Sequence, residues 1–452
     1  MTATASGTDV AAQLRDLLDA GMAAHAVPGV AVGILNGDAQ IVVTAGVTHV
    51  DAPVRVDDAT LFQIGSTTKT LTATVVMRLV ERGQLELDAP VHRYVPELDL
   101  ADRDALERIT MRDLLTHMGG HDGDLLDDFG SADDALSRAC ASMGVLPQLA
   151  PLRTVWNYSN AGFTIAGRAI ETVTGAPFEQ ACQELVLDPL GMADSCFSAA
   201  DAITRRTAVG HRVRDGTPLV TRPWELTRAT APAGGLASSL VDQLRYARFH
   251  LGTGPRLLSP DSLRLMQSPL VPAGGGRATA CGLSWLLQPT PGLLAHGGET
   301  NGQMSSFALV PDRGFAIAVC TNGQLGALVH TPIVKWALRQ LARMPASRPA
   351  APPAPSIAPA QVGGAYRARL QTVHVQAGPA GSLLIDYQPT DVQLASFPDA
   401  QPVEPHPAEL TGGDTLRIAG GPLAGARGEF LRDPAGKVRW LRILGRLHVR
   451  AP

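Results

Sequence analysis

A proline-rich segment near residue 350 limits most strongly how this 452-residue chain can fold. Between Met344 and Pro359 the sequence reads MPASRPAAPPAPSIAP. Proline fixes φ and lacks a backbone N–H group, so such a segment is extended and semi-rigid and joins neither a helix nor the interior of a sheet. The sequence therefore predicts two separately folded domains, residues 1–344 and 360–452, joined by a linker at residues 345–359.

The domain before the linker begins and ends with strand patterns and has helical patterns between them. Apolar residues recur at helical spacing from Thr8 to His25, and the runs GVAVGIL and AQIVVTAGV then form a hairpin through the Asn-Gly-Asp turn at 36–38. Near the end, the runs GLSWLLQ, MSSFALV and GFAIAVCTN precede a helix at about 331 to 343. This order predicts an α+β fold, with one antiparallel sheet assembled from both ends of the domain and flanked by helices and a helical lobe.

The domain after the linker has a different pattern. Its short alternating runs are separated by Gly, Pro and Asp and read TVHVQAG, SLLIDYQ, TLRIAG, GEFLRD, VRWLRILG and LHVRA. Such a series of short strands is typical of a small β-barrel.

Charge and the first residues of the chain restrict its partners. A net charge of -4 and a pI near 6.3 leave no overall basic field, which argues against binding to nucleic acid. The opening stretch, MTATASGTDVAAQLRDLLDAGMAAHAV, has neither a basic leader nor a long apolar run. We therefore expect a cytoplasmic protein without a signal peptide or a membrane anchor.

Five cysteines are scattered along the chain without a Cys-x-x-Cys pair, at Cys140, Cys182, Cys196, Cys281 and Cys320. An odd number at wide spacing is typical of reduced, mostly buried thiols and not of a disulfide framework or a zinc site. We expect no metal and no cofactor.

A serine and a lysine three residues apart are the first candidate site. Ser66 precedes the helical pattern TTKTLTATVVMRLVERG, and Lys69, one of only three lysines in the chain, projects on the same side one turn later. A serine hydroxyl is a weak nucleophile until a base takes its proton, and a desolvated lysine with a lowered pKa can be that base. The alternative is a helix-capping serine followed by a surface lysine, so the pair needs further support.

Two more segments supply that support. In VWNYSNAGFTIAG, Tyr158 and Asn160 open another helical pattern; alone, they would be a helix cap with an anchoring aromatic ring. In LLAHGGETNGQ, His296, Gly297 and Gly298 lie at the end of a strand. Glycines there let a substrate approach a strand edge, although a glycine pair flanking a hairpin has the same appearance.

Ser-x-x-Lys, Tyr-x-Asn and His-x-Gly in this order resemble the serine β-lactamase and penicillin-binding-protein superfamily. The flanking text LFQIGSTTKTLTA, MRDLLTHMGG, APAGGLASS and VPDRGFAIAVCTN resembles the branch with class C β-lactamases, D-alanyl-D-alanine carboxypeptidases, D-aminopeptidases and family VIII carboxylesterases. The resemblance covers roughly residues 8–343. The C-terminal barrel resembles the lipocalin-like appendage of some relatives.

The resemblance implies a role for each matching residue. Ser66 would be the acylated nucleophile, Lys69 and Tyr158 the proton-handling pair, and Asn160 a polar group that orients the substrate. These roles need no metal and no cofactor.

The third motif implies the oxyanion hole and also departs from the family. His296 would replace the basic residue that opens this motif, and the backbone N–H groups of Ser66 and Glu299 would stabilise the tetrahedral intermediate. Gly297 and Gly298 would line the substrate-binding site. Many relatives carry a threonine at the position of Gly297, where its hydroxyl helps to hold a substrate carboxylate. His-Gly-Gly is similar to esterases and amidases of this branch, which makes a β-lactam a poorer substrate.

Three functions follow from this reading. The first is a serine hydrolase that forms an acyl-enzyme on a small ester, amide or short peptide, as a carboxylesterase or a D-amino-acid amidase or peptidase would. The second is an acyltransferase that passes the acyl group to an amine or alcohol, as some biosynthetic relatives do. The third is a ligand-binding protein of the same fold without catalysis. The sequence leaves the oligomeric state open.

Four histidine and aspartate residues lie close together in the segment THMGGHDGD. His117, His121, Asp122 and Asp124 cluster within eight residues and could bind a metal, but we expect a structural His117 and a solvated rim from 121 to 124.

Two tryptophans and the barrel could also shape a substrate pocket. Trp224 and Trp285 could line a pocket, but tryptophans are more often core or interface residues. The barrel either shapes the cleft or serves stability alone, and the linker that returns it to the body favours the first.

Overall fold

An eight-stranded sheet and a closed eight-stranded barrel form most of the β structure of the chain. The structure, a computed structural model, describes residues 7–274, 276, 278–345, 357–396, 403–421 and 423–452. Most of the predicted linker, residues 346–356, lies outside the described residues. The α+β fold with a C-terminal barrel is confirmed.

The large sheet is antiparallel, with the strand order β2-β1-β12-β11-β10-β9-β8-β7. Two further two-stranded antiparallel sheets, β3 with β6 and β4 with β5, lie outside it. The strands of this part of the chain are β1 (Gly29–Asn36), β2 (Ala39–Gly46), β3 (Phe62–Gln63), β4 (His211–Arg214), β5 (Thr217–Val220), β6 (Ala237–Ser238), β7 (Val271–Pro272), β8 (Ala280–Cys281), β9 (Leu286–Leu287), β10 (Leu294–Glu299), β11 (Met304–Val310) and β12 (Phe315–Thr321).

The sheet joins the two ends of the domain as the sequence predicts. Strand β1 pairs with β2 through the predicted turn, in which Gly37 has φ +59°, and pairs on its other side with β12, from Val30 opposite Thr321 to Asn36 opposite Phe315. Both faces are covered by helices, so β12 is buried at every position.

Helices cover the sheet and form a lobe beside it. One apolar layer includes Leu14 of the first helix and Ile333 of the thirteenth, and a larger layer on the opposite face joins the sheet to the helical lobe. The helices are α1 (Gly7–His25), α2 (Thr68–Glu81), α3 (Arg103–Arg108), α4 (Met111–Leu115), α5 (Ala135–Ala141), α6 (Ala161–Thr174), α7 (Phe178–Cys182), α8 (Asp188–Leu190), α9 (Ala199–Ala202), α10 (Ala231–Gly234), α11 (Leu240–His250), α12 (Pro260–Gln267), α13 (Gly326–Gln340), α14 (Pro359–Val362) and α15 (Asp391–Ser396).

Two boundaries differ from the sequence prediction. Helix α13 begins at Gly326, five residues earlier than expected, and Pro332 lies inside it. The run GLSWLLQ forms only the short strand β9, because Ser284 adopts φ +72° in a turn where the N–H of Gly282 donates to the Trp285 carbonyl.

The barrel contains the six predicted strands and two more. Its strands are β13 (Gly364–Arg367), β14 (Gln371–Ala377), β15 (Leu383–Pro389), β16 (Val403–Gly412), β17 (Thr415–Ile418), β18 (Arg427–Arg432), β19 (Val438–Ile443) and β20 (Arg446–Arg450). Strands β13 and β16 were not predicted. The first begins at a glycine pair and the second contains Pro405 and Pro407, which are residues that weaken a strand pattern.

The barrel packs directly on the larger domain. Leu149 and Ala150 form an apolar cluster with Trp440 and Leu447, and the indole N–H of Trp440 donates to the Leu149 carbonyl at 2.8 Å. All five cysteines are free and buried, as the sequence predicts. None of the described helices has the length and apolar character needed to cross a bilayer.

Candidate active site

Ser66 lies in a 3-10 turn, Gly65–Thr67, directly before α2, and its side chain is half-buried. Helix α2 begins at Thr68, so Ser66 does not cap it directly. Gly65 has φ +51°, and a Cβ atom at this residue would come within 2.5 Å of the Glu299 backbone nitrogen. Only glycine fits both the conformation and the contact, which places the Ser66 turn against the end of β10.

Lys69, the second residue of α2, is fully buried. Its Nζ donates to Ser66 Oγ at 3.1 Å and to the Ala233 carbonyl at 2.6 Å. Burial lowers the pKa of Lys69, and the nearby phenol of Tyr158 opposes this shift through its charge and a side-chain hydrogen bond. A lysine in this state can accept a proton from the serine.

Tyr158 comes from a different part of the helical lobe, just before α6, and is 2% exposed. The Nζ atom of Lys69 lies 5.0 Å from the centroid of its ring. The His117 ring packs on the same phenol at 4.5 Å between centroids, and the Nδ1 atom of His117 accepts the Ser159 N–H at 3.1 Å. The structure thus brings Ser66, Lys69 and Tyr158 together, and His117 has the expected structural role.

Asn160 begins α6 but does not cap it with its side chain. Instead, its Nδ2 donates to Asp124 Oδ1 at 2.7 Å. The carboxylate therefore fixes the orientation of this amide.

The third motif lies on β10, and its two glycines have different surroundings. A Cβ atom at Gly298 would come within 1.8 Å of the Ile64 carbonyl oxygen, whereas one at Gly297 would meet only the Ser305 carbonyl oxygen at 3.3 Å. His296 is buried, its Nδ1 lies 2.8 Å from the Gly297 carbonyl, and its ring centroid is 6.2 Å from that of Tyr158. The close approach at Gly298 brings Glu299 beside the Ser66 turn.

Arg446 is the site residue that the sequence analysis missed. It lies in the barrel, at the start of β20, where an arginine after a Leu-Gly turn reads as an ordinary surface residue. Its Nε and Nη2 donate to the Asp124 carboxylate at 2.7 and 2.9 Å, and its Cζ lies 4.6 Å from the centroid of the Tyr158 ring. No local signal in the sequence could have found a contact between residues 322 positions apart.

The prediction of a solvated rim at 121–124 is wrong. Asp122 and Asp124 are 4% and 8% exposed because the barrel covers them, and Asp122 accepts the Arg369 N–H at 2.7 Å. Burial also lowers the pKa of His121 to about 4, so this imidazole is neutral at pH 7. Among the described ranges of the chain, no three His, Cys, Asp or Glu side chains form a group suited to a metal ion.

A cleft of about 1100 Å³ lies on the helical lobe next to the predicted site, but Ser66, Lys69 and Tyr158 are not among the residues that line it. It is lined by Gln63 and Gly235, next to the Ser66 turn and α10, and by Trp224 and Phe197 further out. Trp285 is a core residue as expected. The same expectation for Trp224 is wrong, because this half-buried ring forms a wall of the cleft.

The half-buried Ser66, the buried Lys69 one turn later and Tyr158 from the segment before α6 meet beside β10, an arrangement of the β-lactamase type. The family model described as Beta-lactamase matches residues 14–334. The chain therefore belongs to the β-lactamase family of serine hydrolases, which confirms the resemblance.

Individual relatives extend this result to the barrel. Penicillin-binding protein 4 of Amycolatopsis lactamdurans is 34% identical over 76% of this chain and 93% of its own length. The crystal structure of SurE matches with a TM-score of 0.79 at 26% identity, over 99% of this chain and all of SurE, and SurE has also been solved with D-Leu (TM-score 0.77). A class C β-lactamase from Rhodobacter sphaeroides, at 22% identity and a TM-score of 0.60, shares the fold over 73% of this chain.

Proposed function

We propose that this protein is a serine hydrolase that forms an acyl-enzyme on ester or amide substrates. The observation that carries the proposal is the 3.1 Å contact between the buried Lys69 Nζ and Ser66 Oγ, with the Tyr158 ring beside the same nitrogen. A protein that only bound a ligand would not need a buried amine and a phenol next to a serine, because burying a lysine is costly.

The proposed reaction has two steps. In the first, the Lys69 and Tyr158 pair takes the Ser66 hydroxyl proton, Ser66 Oγ attacks the carbonyl carbon, and the proton passes to the leaving amine or alcohol. The backbone N–H groups of Ser66 and Glu299 stabilise the oxyanion. In the second step, water attacks the acyl-enzyme through the same proton transfers and releases the acid.

Substrates with a D-amino acyl group are the proposed class. The likeness to SurE, solved with D-Leu, supports this choice over simple short-chain esters. Gly297 offers no hydroxyl to a substrate carboxylate, which is consistent with weak β-lactamase activity at most. The cleft beside Gln63 and Trp224 is large enough for an acyl group longer than one residue.

A labelling experiment tests the proposal. Wild type and Ser66→Ala are incubated with a fluorophosphonate probe and with p-nitrophenyl esters of D- and L-leucine, and intact mass is recorded. We expect one adduct on wild type, none on Ser66→Ala, and faster turnover of the D-ester. Ser131→Ala is a matched control, because Ser131 lines the same cleft without a lysine partner, and should label normally. A silent wild-type protein would support the non-catalytic alternative.

Acyl transfer to an amine or alcohol is the second candidate. It is favoured by the burial of the groups that handle the proton: Lys69 is fully buried and Tyr158 is 2% exposed, partly under the barrel. A site that admits little water favours an acceptor that binds in the cleft. Product analysis with added D-amino-acid amide separates the two functions, since transfer product in excess of free acid would identify an acyltransferase.

A further inference from the structure

The barrel reaches the proposed active site through the turn between β19 and β20. The backbone N–H of Tyr158 donates to the Gly445 carbonyl at 3.0 Å, and the backbone N–H of Leu447 donates to Asn157 Oδ1 at 2.9 Å. These two bonds flank Arg446 on both sides. The turn is therefore fixed against the segment that carries Tyr158.

Arg446 contacts both the backbone and the ring of Tyr158. Its Nη1 donates to the Tyr158 carbonyl at 3.2 Å, and its guanidinium carbon lies 4.6 Å from the ring centroid. About a quarter of the Arg446 side chain (24%) stays exposed, so the charge is only partly screened by solvent. A cation at this distance favours the deprotonated form of a phenol.

Asp124 connects this cation to the family motif. Its carboxylate accepts two hydrogen bonds from Arg446 and one from the amide of Asn160. A bidentate pair of this kind fixes the plane of the guanidinium as well as its distance.

Other contacts hold the barrel to the larger domain. The indole of Trp440 donates to the Leu149 carbonyl, Arg442 donates to the Trp156 carbonyl at 2.8 Å, and Arg369 pairs with Asp127 at 3.1 Å. Attachment of the barrel therefore does not depend on Asp124 alone.

We propose that Asp124 is a positioning residue for the acyl-transfer reaction: it holds the barrel's Arg446 against Tyr158 and orients Asn160, so that proton transfer through Tyr158 requires the docked barrel. This inference rests on the proposed function of Ser66, Lys69 and Tyr158. It makes the C-terminal barrel part of the active site.

The charged and titratable groups around the Tyr158 phenol set the expected pH dependence. They are Lys69 from α2, His117 from the loop after α4, His296 from β10 and Arg446 from the barrel, with Asp124 behind Arg446. Arg446 also lowers the pKa of Lys69, after the larger effect of burial. Removal of Arg446 therefore makes both proton-handling groups harder to deprotonate, and the pH at which acylation becomes fast rises.

The test compares full-length variants in single-turnover acylation from pH 5 to 10, with thermal unfolding recorded for each. Asp124→Asn and Arg446→Met should each slow acylation by about 10- to 100-fold, and the double variant should be no slower than Arg446→Met, because the two residues act together. The acidic limb of the plot of acylation rate against pH should move up by about one pH unit in Arg446→Met. Arg446→Lys keeps a positive charge and should show a smaller shift.

Asp127→Asn is the matched control, since Asp127 lies in the same loop and binds the same barrel through Arg369 without touching Tyr158 or Asn160. It should acylate at the wild-type rate. If Asp124→Asn does not fold because Arg446 is left unpaired, the neutral pair Asp124→Asn with Arg446→Gln replaces it and should be as slow as Arg446→Met.

The outcomes separate this inference from the function it rests on. A wild-type protein without any adduct on Ser66 overturns both. A wild-type protein that is acylated, with either an unchanged pH limb in Arg446→Met or additive losses in the double variant, overturns only the role of Asp124 and the barrel.

Discussion

Two cations lie beside the Tyr158 ring, and they come from opposite ends of the chain. Lys69 follows Ser66 by three residues on α2, and its hydrogen bonds go to a hydroxyl and a backbone carbonyl. Arg446 comes from the barrel and forms a bidentate pair with the Asp124 carboxylate.

Their pKa values shift in opposite directions for this reason. Burial lowers the pKa of Lys69, and its neighbours do not restore it. Burial alone would also lower the pKa of Arg446, but Asp124 and Tyr158 outweigh it and raise that pKa. An amine without a carboxylate partner can lose its proton and work as a base, whereas a paired guanidinium remains a fixed charge.

Replacing Lys69, the side chain that can lose its proton, should have the largest effect on the rate of acylation. Lys69→Met is expected to slow acylation by about 10³-fold, in the range for loss of a general base. Because the pKa of Lys69 is lowered in the folded state, the unfolded chain binds this proton more tightly, so the lysine costs stability that is recovered as pH rises toward 10.5. Lys69→Met should therefore melt at or above the wild-type temperature at pH 7, and a stability advantage that grows with pH would contradict this assignment.

The next prediction concerns how β10 reaches the Ser66 turn. Gly298→Ala is expected to slow acylation by about 100-fold, the cost of losing an oxyanion donor, because its methyl group would push Ile64 and the Ser66 turn away from Glu299. Gly297→Ala is the control on the same strand and should retain most activity, since its nearest contact is 3.3 Å away. Equal rates for both alanine variants would argue against the proposed oxyanion hole.

The third prediction concerns Asp122, which is buried at the interface between the barrel and the larger domain. Burial, with a smaller contribution from Asp124, raises the pKa of Asp122 from 3.8 to about 6. Between these values the unfolded chain releases the proton and the folded chain keeps it, so stability falls as pH rises through this window. Asp122→Asn should therefore be more stable than wild type at pH 8 by about 3 kcal/mol, with little difference near pH 4.

Urea unfolding at pH 4, 6 and 8 measures this difference. Asp38→Asn is the control, because Asp38 is exposed in the turn between β1 and β2, and it should show no such trend. A stability difference for Asp122→Asn that is constant with pH would mean that this carboxyl titrates normally.

The smallest expected effect concerns substrate choice. Gly297→Thr introduces the hydroxyl that many relatives use to hold a carboxylate, and the Cβ atom of the new side chain would meet only the Ser305 carbonyl oxygen, at 3.3 Å. We expect acylation by benzylpenicillin to increase less than about 10-fold, consistent with one added hydrogen bond. Unchanged labelling by benzylpenicillin, measured by intact mass, would show that other residues exclude carboxylates.

The part of the site formed by residues close together in the sequence was largely predictable. Ser66 and Lys69 lie three residues apart where a 3-10 turn leads into α2, so their proximity follows from local helical geometry, and the hairpin at residues 36–38 follows from its Asn-Gly turn. Tyr158 and His296 could be placed only through the order of the family motifs, because their contacts cross between helices and strands.

The part of the site formed by residues far apart in the sequence was not predictable from local patterns. Asp124 in a loop and Arg446 after a hairpin turn both read as surface residues, and the sequence analysis placed Asp124 on a solvated rim. Docking of the barrel buries both, through apolar contacts of Trp440 and Leu447 that no local pattern reveals.

The sequence by itself determined the two folded parts, the strand and helix patterns, and the closeness of the serine to the lysine three residues later. These features depend on backbone propensities and on residues a few positions apart. The tertiary structure alone decided which side chain keeps its proton and which can lose it. That choice depends on desolvation and on partners about 300 residues away. In this protein, Arg446 of the barrel remains charged, and Lys69 of α2 can lose its proton.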